Sequence, residues 1–86
     1  MEKYDVKLSS TAFKALKSMP NRDLQRAIKM IKSLEIDPFP HGYIKLCGLD
    51  KVYRVRFGDY RIIYEVDNNV LTVLVLKIGH RKDIYR

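Results

Sequence analysis

An α+β fold, with two helices packed on one face of a sheet, is what this chain of 86 residues predicts. Three features carry that reading. Residues 52–66, VYRVRFGDYRIIYEV, alternate about Gly58-Asp59 as a β-hairpin does. Upstream, two segments carry apolar residues at helical spacing and are joined by almost nothing, which makes an antiparallel helical hairpin. Downstream, residues 70–78 form a strand-sized run that is apolar on both sides, so that strand is central or helix-covered. The expected order is an N-terminal strand, two helices, then antiparallel β-strands, in a single domain over residues 1–86.

The elements follow from local pattern. Residues 3–8 alternate, with Tyr4, Val6 and Leu8 on one side and Lys3, Asp5 and Lys7 on the other. Ser9, Ser10 and Thr11 are N-cap residues for a first helix. It runs to about Met19, with an apolar stripe of Ala12, Phe13, Leu16 and Met19, and Pro20 closes it. A second helix spans about 21–35 on Leu24, Ala27, Ile28, Ile31 and Leu34, and its cations Arg22, Arg26, Lys29 and Lys32 read as a solvated face. Pro38, Pro40 and Gly42 force a loop. Residues 43–46 form a short strand, and 47–50 turn into the hairpin. Asp67-Asn68-Asn69 is a second turn, and Gly79 ends the last strand.

With Gly58-Asp59 as the turn, Phe57 pairs with Tyr60, Arg56 with Arg61, Val55 with Ile62, Arg54 with Ile63 and Tyr53 with Tyr64. One face then carries Tyr53, Val55, Phe57, Tyr60, Ile62 and Tyr64, and the helices cover it. The other, open face carries Arg54, Arg56 and Arg61. Two arginines directly opposite each other destabilise a ladder by ~0.2–1 kcal/mol, so keeping them points to an anion.

Composition narrows the partners. The formal charge of +7 and a pI near 9.7 favour nucleic acid, an acidic protein or a membrane surface. Five of the eight cations from Lys51 onward are arginine, the planar bidentate phosphate reader. The lone Cys47 suits a reducing cytoplasm, the first residues show no signal-like apolar run, and no stretch is long enough to span a membrane. Phosphate-loop, dinucleotide, zinc-protease and CxxC signatures are absent, and nothing implies a metal or a small-molecule cofactor.

What remains is a basic and aromatic set: Lys45, Arg54, Arg56, Arg61, His80, Arg81, Lys82, Tyr85 and Arg86. The arginines would hold the non-bridging oxygens of a phosphodiester and stabilise charge developing at phosphorus. Tyr85 would stack on a base, and His80 is the shuttle candidate. Other readings stand beside these. The arginines bind phosphate without chemistry or pair with Glu65, Asp59 and Asp83; Tyr85 anchors the tail; His80 is a bystander.

Residues 45–86 resemble the RelE/ParE toxin superfamily, its RelE branch most closely. The carrying features are Lys45-Leu46-x-Gly48, Tyr53-Arg54-Val55-Arg56, Gly58-Asp59-Tyr60-Arg61 with Ile62-Ile63-Tyr64, and Gly79-His80-Arg81 with Asp83-x-Tyr85. Residues 1–44 match in element order. The resemblance implies a β-α-α-β-β-β fold and a cytoplasmic toxin of a toxin–antitoxin pair, partnered by a cognate antitoxin. It implies a ribosome-dependent endoribonuclease that cuts mRNA in the A site by metal-free attack of the ribose 2′-OH on the adjacent phosphate. By position, Arg54 and Arg56 look like the basic strand pair facing that phosphate and Arg61 like the arginine stabilising the pentacoordinate state. Arg81 looks like the basic residue near the leaving oxygen, and Tyr85 like the stacking tyrosine; Lys45, Lys82 and Arg86 of the basic set above would add phosphate contacts. Some RelE proteins carry lysine at the positions of Arg54 and Arg56. A guanidinium is a poor base, which leaves His80 or a substrate-bound water to take the proton. The tail stops one residue after Tyr85, so the extra C-terminal helix of some members is not expected. The alternatives are a ParE-like inhibitor of DNA gyrase without nuclease activity and an RNA-binding module without catalysis.

Overall fold

The computed structural model describes residues 3–82. Asp83, Ile84, Tyr85 and Arg86 lie outside the described residues, and with them the expected roles of Tyr85 and Arg86. The elements are β1 (Asp5–Leu8), α1 (Ser10–Lys17), α2 (Asn21–Ile36), β2 (Ile44–Lys45), β3 (Val52–Phe57), β4 (Tyr60–Asp67) and β5 (Thr72–His80). They build one five-stranded sheet in the order β1-β5-β4-β3-β2, with both helices on one side. β1 runs parallel to β5 and every other pair is antiparallel. Among the described residues, no helix is long and apolar enough to cross a membrane.

The β3–β4 register is the one the Gly58-Asp59 turn dictates, from Phe57↔Tyr60 to Tyr53↔Tyr64. Gly58 has φ +56°, whereas Asp59 does not enter the left-handed region, the sign pattern of a type II′ turn. A Cβ at Gly58 would also stand 2.6 Å from the guanidinium of Arg26, which packs against the turn from α2. The covered face buries Val55, Phe57, Ile62, Tyr64 and Val66 with Val73, Val75 and Ile78 of β5, under Ala12, Leu16, Ala27 and Leu34 of the helices.

Phe13 is an exception to the expected stripe: it is 53% exposed, with Lys17 Nζ 5.5 Å from its ring centre. Ala12, Ala15, Leu16 and Met19 form the inward face, and Phe13, one position from Ala12, is rotated ~100° away. The helix ends after Lys17 in a tightened turn: the Ser18 N–H is shared between the carbonyls of Lys14 and Ala15, the Met19 N–H donates to the Leu16 carbonyl, and Pro20 follows.

β5 departs from expectation at both ends. Its start moves to Thr72 because Asp67 Oδ1 accepts from the N–H groups of Asn69 (2.9 Å) and Val70 (3.3 Å), and Leu71 turns at φ +50°. Its end passes through Gly79 to His80, since Gly79 stays in register with Arg61. A β-bulge interrupts the strand: Ile63 pairs with Lys77 and Tyr64 with Val75, which leaves Leu76 as the extra residue. The alternation therefore slips by one, and Val75 and Ile78 both face the core.

Ser9 secures this bulge. Its hydroxyl donates to the Leu76 carbonyl (2.8 Å) and accepts from the Ala12 N–H (3.0 Å), capping α1. Ser9→Ala removes both bonds and is expected to lower stability by ~1–2 kcal/mol, read from the urea unfolding midpoint.

Candidate functional site

The open face of the β3–β4 hairpin carries a groove of about 380 Å³ lined by Arg54, Arg56 and Arg61 together with His41, Gly42 and Ile44. The strands position the cations. Arg54 and Arg56 are two residues apart on β3, so they share its face, and Arg56 lies directly across from Arg61 on β4. Arg61 has Gly79 as its neighbour on β5, so no side chain crowds it from there. Its Nη1 donates to the Tyr60 carbonyl at 3.3 Å. Among the described residues no carboxylate forms an ion pair with Arg56 or Arg61; the ion pairs are Lys7–Asp5, Arg26–Asp23 and Lys51–Asp67. Pairing with Glu65 or Asp59 therefore does not account for these two arginines.

The rest of the lining comes from the loop between α2 and β2 and from the first residue of β2. Gly42, at φ +90°, turns the chain so that His41 and Ile44 border the groove. Ile44 is registered with Arg54 and shares its face, and at 47% exposure it offers an apolar surface beside the cations. The sequence does not mark this part of the lining. The Pro-Phe-Pro-His-Gly run marks a loop but does not show onto which face the loop folds.

Two expected members stand elsewhere. Lys45 is registered with Tyr53, so it is on the helix-side face of β2, away from the arginines. His80 is registered with Tyr60 and its ring meets the Tyr60 ring at 5.7 Å, in a cleft lined by Ala15, Met19 and Pro20. The sheet thus separates His80 from the groove, and a shuttle role for it at a phosphate held by Arg61 is not supported. The bulge at Leu76 is the cause: an unbroken alternation from Val75 would have placed residue 80 on the arginine face.

Arg81 and Lys82 are exposed at the end of β5. The Arg81 N–H donates to the Asp59 carbonyl at 2.7 Å, which fixes Arg81 beside the hairpin turn, and the Lys82 N–H donates to His80 Nδ1. On the far side of the turn, the Tyr60 hydroxyl donates to Asp23 at 3.1 Å. Burial, reinforced by that bond to Asp23, raises the Tyr60 pKa. No group of three or more His, Cys, Asp or Glu side chains converges to hold a metal among the described residues.

A groove walled by three guanidinium groups and an apolar rim suits a phosphodiester with its attached sugar and base. Comparison with known proteins agrees with the sequence features. The family model for the ParE toxin of the type II toxin–antitoxin system parDE matches residues 6–85. A protein named RelE1 from Methanocaldococcus jannaschii is 31% identical over 98% of this chain and 97% of its own length. Toxin RelG of Mycobacterium tuberculosis is 32% identical over 96% of this chain and 97% of its own. Among solved structures, the archaeal RelE–RelB complex from Pyrococcus horikoshii OT3 superposes with a TM-score of 0.82 at 35% identity, covering 93% of this chain and 97% of that one.

Proposed function

Because the chain belongs to the RelE/ParE family of type II toxin–antitoxin toxins, we propose that this RelE-like toxin is a metal-independent endoribonuclease that cuts messenger RNA in the ribosomal A site. The observation that carries the reading is the convergence of Arg54, Arg56 and Arg61 on one groove. In this reading Arg54 and Arg56 hold the non-bridging oxygens of the scissile phosphate. The ribose 2′-oxygen attacks the adjacent phosphorus, negative charge grows on the equatorial oxygens, and Arg61 stabilises it. The P–O5′ bond breaks, leaving a 2′,3′-cyclic phosphate and a 5′-hydroxyl. Arg81, tethered next to the hairpin turn, stands near the leaving oxygen, and Tyr85 stacks on the nucleotide. Lys82 and Arg86 add phosphate contacts.

The partner is a cognate antitoxin, by analogy with the relatives crystallised as RelE–RelB complexes. The net charge of +7 suits a partner with acidic segments covering the basic face.

In a translating extract, wild type should generate cleaved message, and Arg54→Ala plus Arg56→Ala should slow cleavage by about 100-fold or more. The matching family model carries the ParE name, which gives the gyrase alternative its footing. If wild type blocks DNA supercoiling and leaves message intact, that alternative replaces this one. RNA binding with a steep salt dependence and no cleavage would instead point to a binding module.

A further inference from the structure

We infer that His41 is the proton acceptor of the arginine groove. The proposal rests on the nuclease reading above and deepens it. Attack by a 2′-hydroxyl requires a group with a free lone pair to take the proton. Of the side chains lining the groove, Arg54, Arg56 and Arg61 carry donors alone, Ile44 is apolar and Gly42 has none. Among the described residues, His41 is the lining residue whose side chain accepts a proton, and imidazole is the side chain most often used as a general base. It lines the same groove of about 380 Å³ as the three guanidinium groups. The charged groups facing it are Arg54 and Arg56 of β3 and Arg61 of β4. Lys45, the nearest cation to it along the chain, is on the other face of β2. His80, the other histidine, lies behind the sheet.

The step balances without a further reactant. Neutral His41 takes the 2′-hydroxyl proton as the O2′–P bond forms. The P–O5′ bond breaks, its electron pair stays on O5′, and that oxygen takes a proton from water. The hydroxide so formed accepts the proton from the His41 imidazolium, restoring the starting state.

The test is single-turnover cleavage of message on programmed ribosomes across pH, for wild type, His41→Gln and Arg61→Ala. Wild type should show a rate that rises with pH and levels off through one ionisation. His41→Gln should lose that inflection and ~10²–10⁴-fold of the plateau rate. Its half-saturating toxin concentration and melting temperature should be unchanged, and added imidazole should restore part of the rate. A His41→Gln variant with the wild-type rate and pH profile would overturn the proposal. So would one that keeps the inflection but needs more toxin for half-saturation, because the ring would then be a binding contact alone. Wild type that cuts no message overturns the nuclease reading and this proposal with it. Wild type that cuts, with Arg61→Ala inactive and His41→Gln active, overturns this proposal alone.

Discussion

Arg61→Ala should lower single-turnover cleavage of ribosome-bound message by ~10²–10³-fold, the cost of removing one preorganised donor to a developing oxyanion. Its effect on the fold should go the other way. Arg61 sits directly across from Arg56, and like charges opposite each other on a ladder cost ~0.2–1 kcal/mol. Removing one member relieves that repulsion and breaks no ion pair among the described residues. The side chain's own bond, to the Tyr60 carbonyl at 3.3 Å, is long. Thermal unfolding should therefore show a melting temperature equal to or above that of wild type while cleavage collapses. Arg61→Lys keeps the charge and loses the planar fork, so it should recover part of the rate. A variant that loses stability and activity together would mean that Arg61 supports the hairpin rather than the reaction.

That opposition makes the arginine face legible in the sequence, because a like-charged pair kept at a structural cost points to an anion. The hairpin reports its own register: Gly58-Asp59 fixes the phase, and a period of two then assigns every side chain to a face. Helix identity was equally plain from the spacing of Leu24, Ala27, Ile31 and Leu34. What was not legible depended on phase carried across an irregularity. The Leu76 bulge has no sequence mark within Leu-Val-Leu-Lys-Ile, and it moves His80 to the helix side. Lys45 depends on how β2 meets β3 across a turn that includes Gly48 at φ +79° and Lys51 at φ +63°, which no local pattern fixes. His41 cannot be assigned to the groove from sequence for the converse reason. It lies in no regular element, and only the folded path of the loop carries it to the arginines.

That path is held largely by Tyr64, which is fully buried and whose hydroxyl donates to the Pro38 carbonyl at 2.7 Å. Its ring begins an aromatic chain running through Tyr53 at 6.0 Å and Phe39 at 5.0 Å to Tyr43 at 5.3 Å. Tyr64→Ala should therefore cost ~3–5 kcal/mol of stability, and it should also free the loop that presents His41. Tyr64→Phe isolates the hydroxyl. It leaves the Pro38 carbonyl without its donor and should cost ~1–3 kcal/mol near neutral pH. Above the ordinary tyrosine range the balance shifts. Burial first, and the nearby Asp37 carboxylate second, push the Tyr64 pKa well above its usual value. The fold thus holds Tyr64 protonated, whereas the unfolded chain releases its proton from about pH 10. Its stabilisation is complete below that pH and is lost as pH rises toward the folded value. Urea midpoints measured from neutral pH to above about pH 10 should fall steeply for wild type and less steeply for Tyr64→Phe, so that the two curves converge in alkali. The raised pKa of Tyr60 leaves a residual slope in both. Parallel curves across the whole range would show that the Tyr64 hydroxyl is not confined as its bond to Pro38 requires, and that the loop bearing His41 is held by ring packing alone.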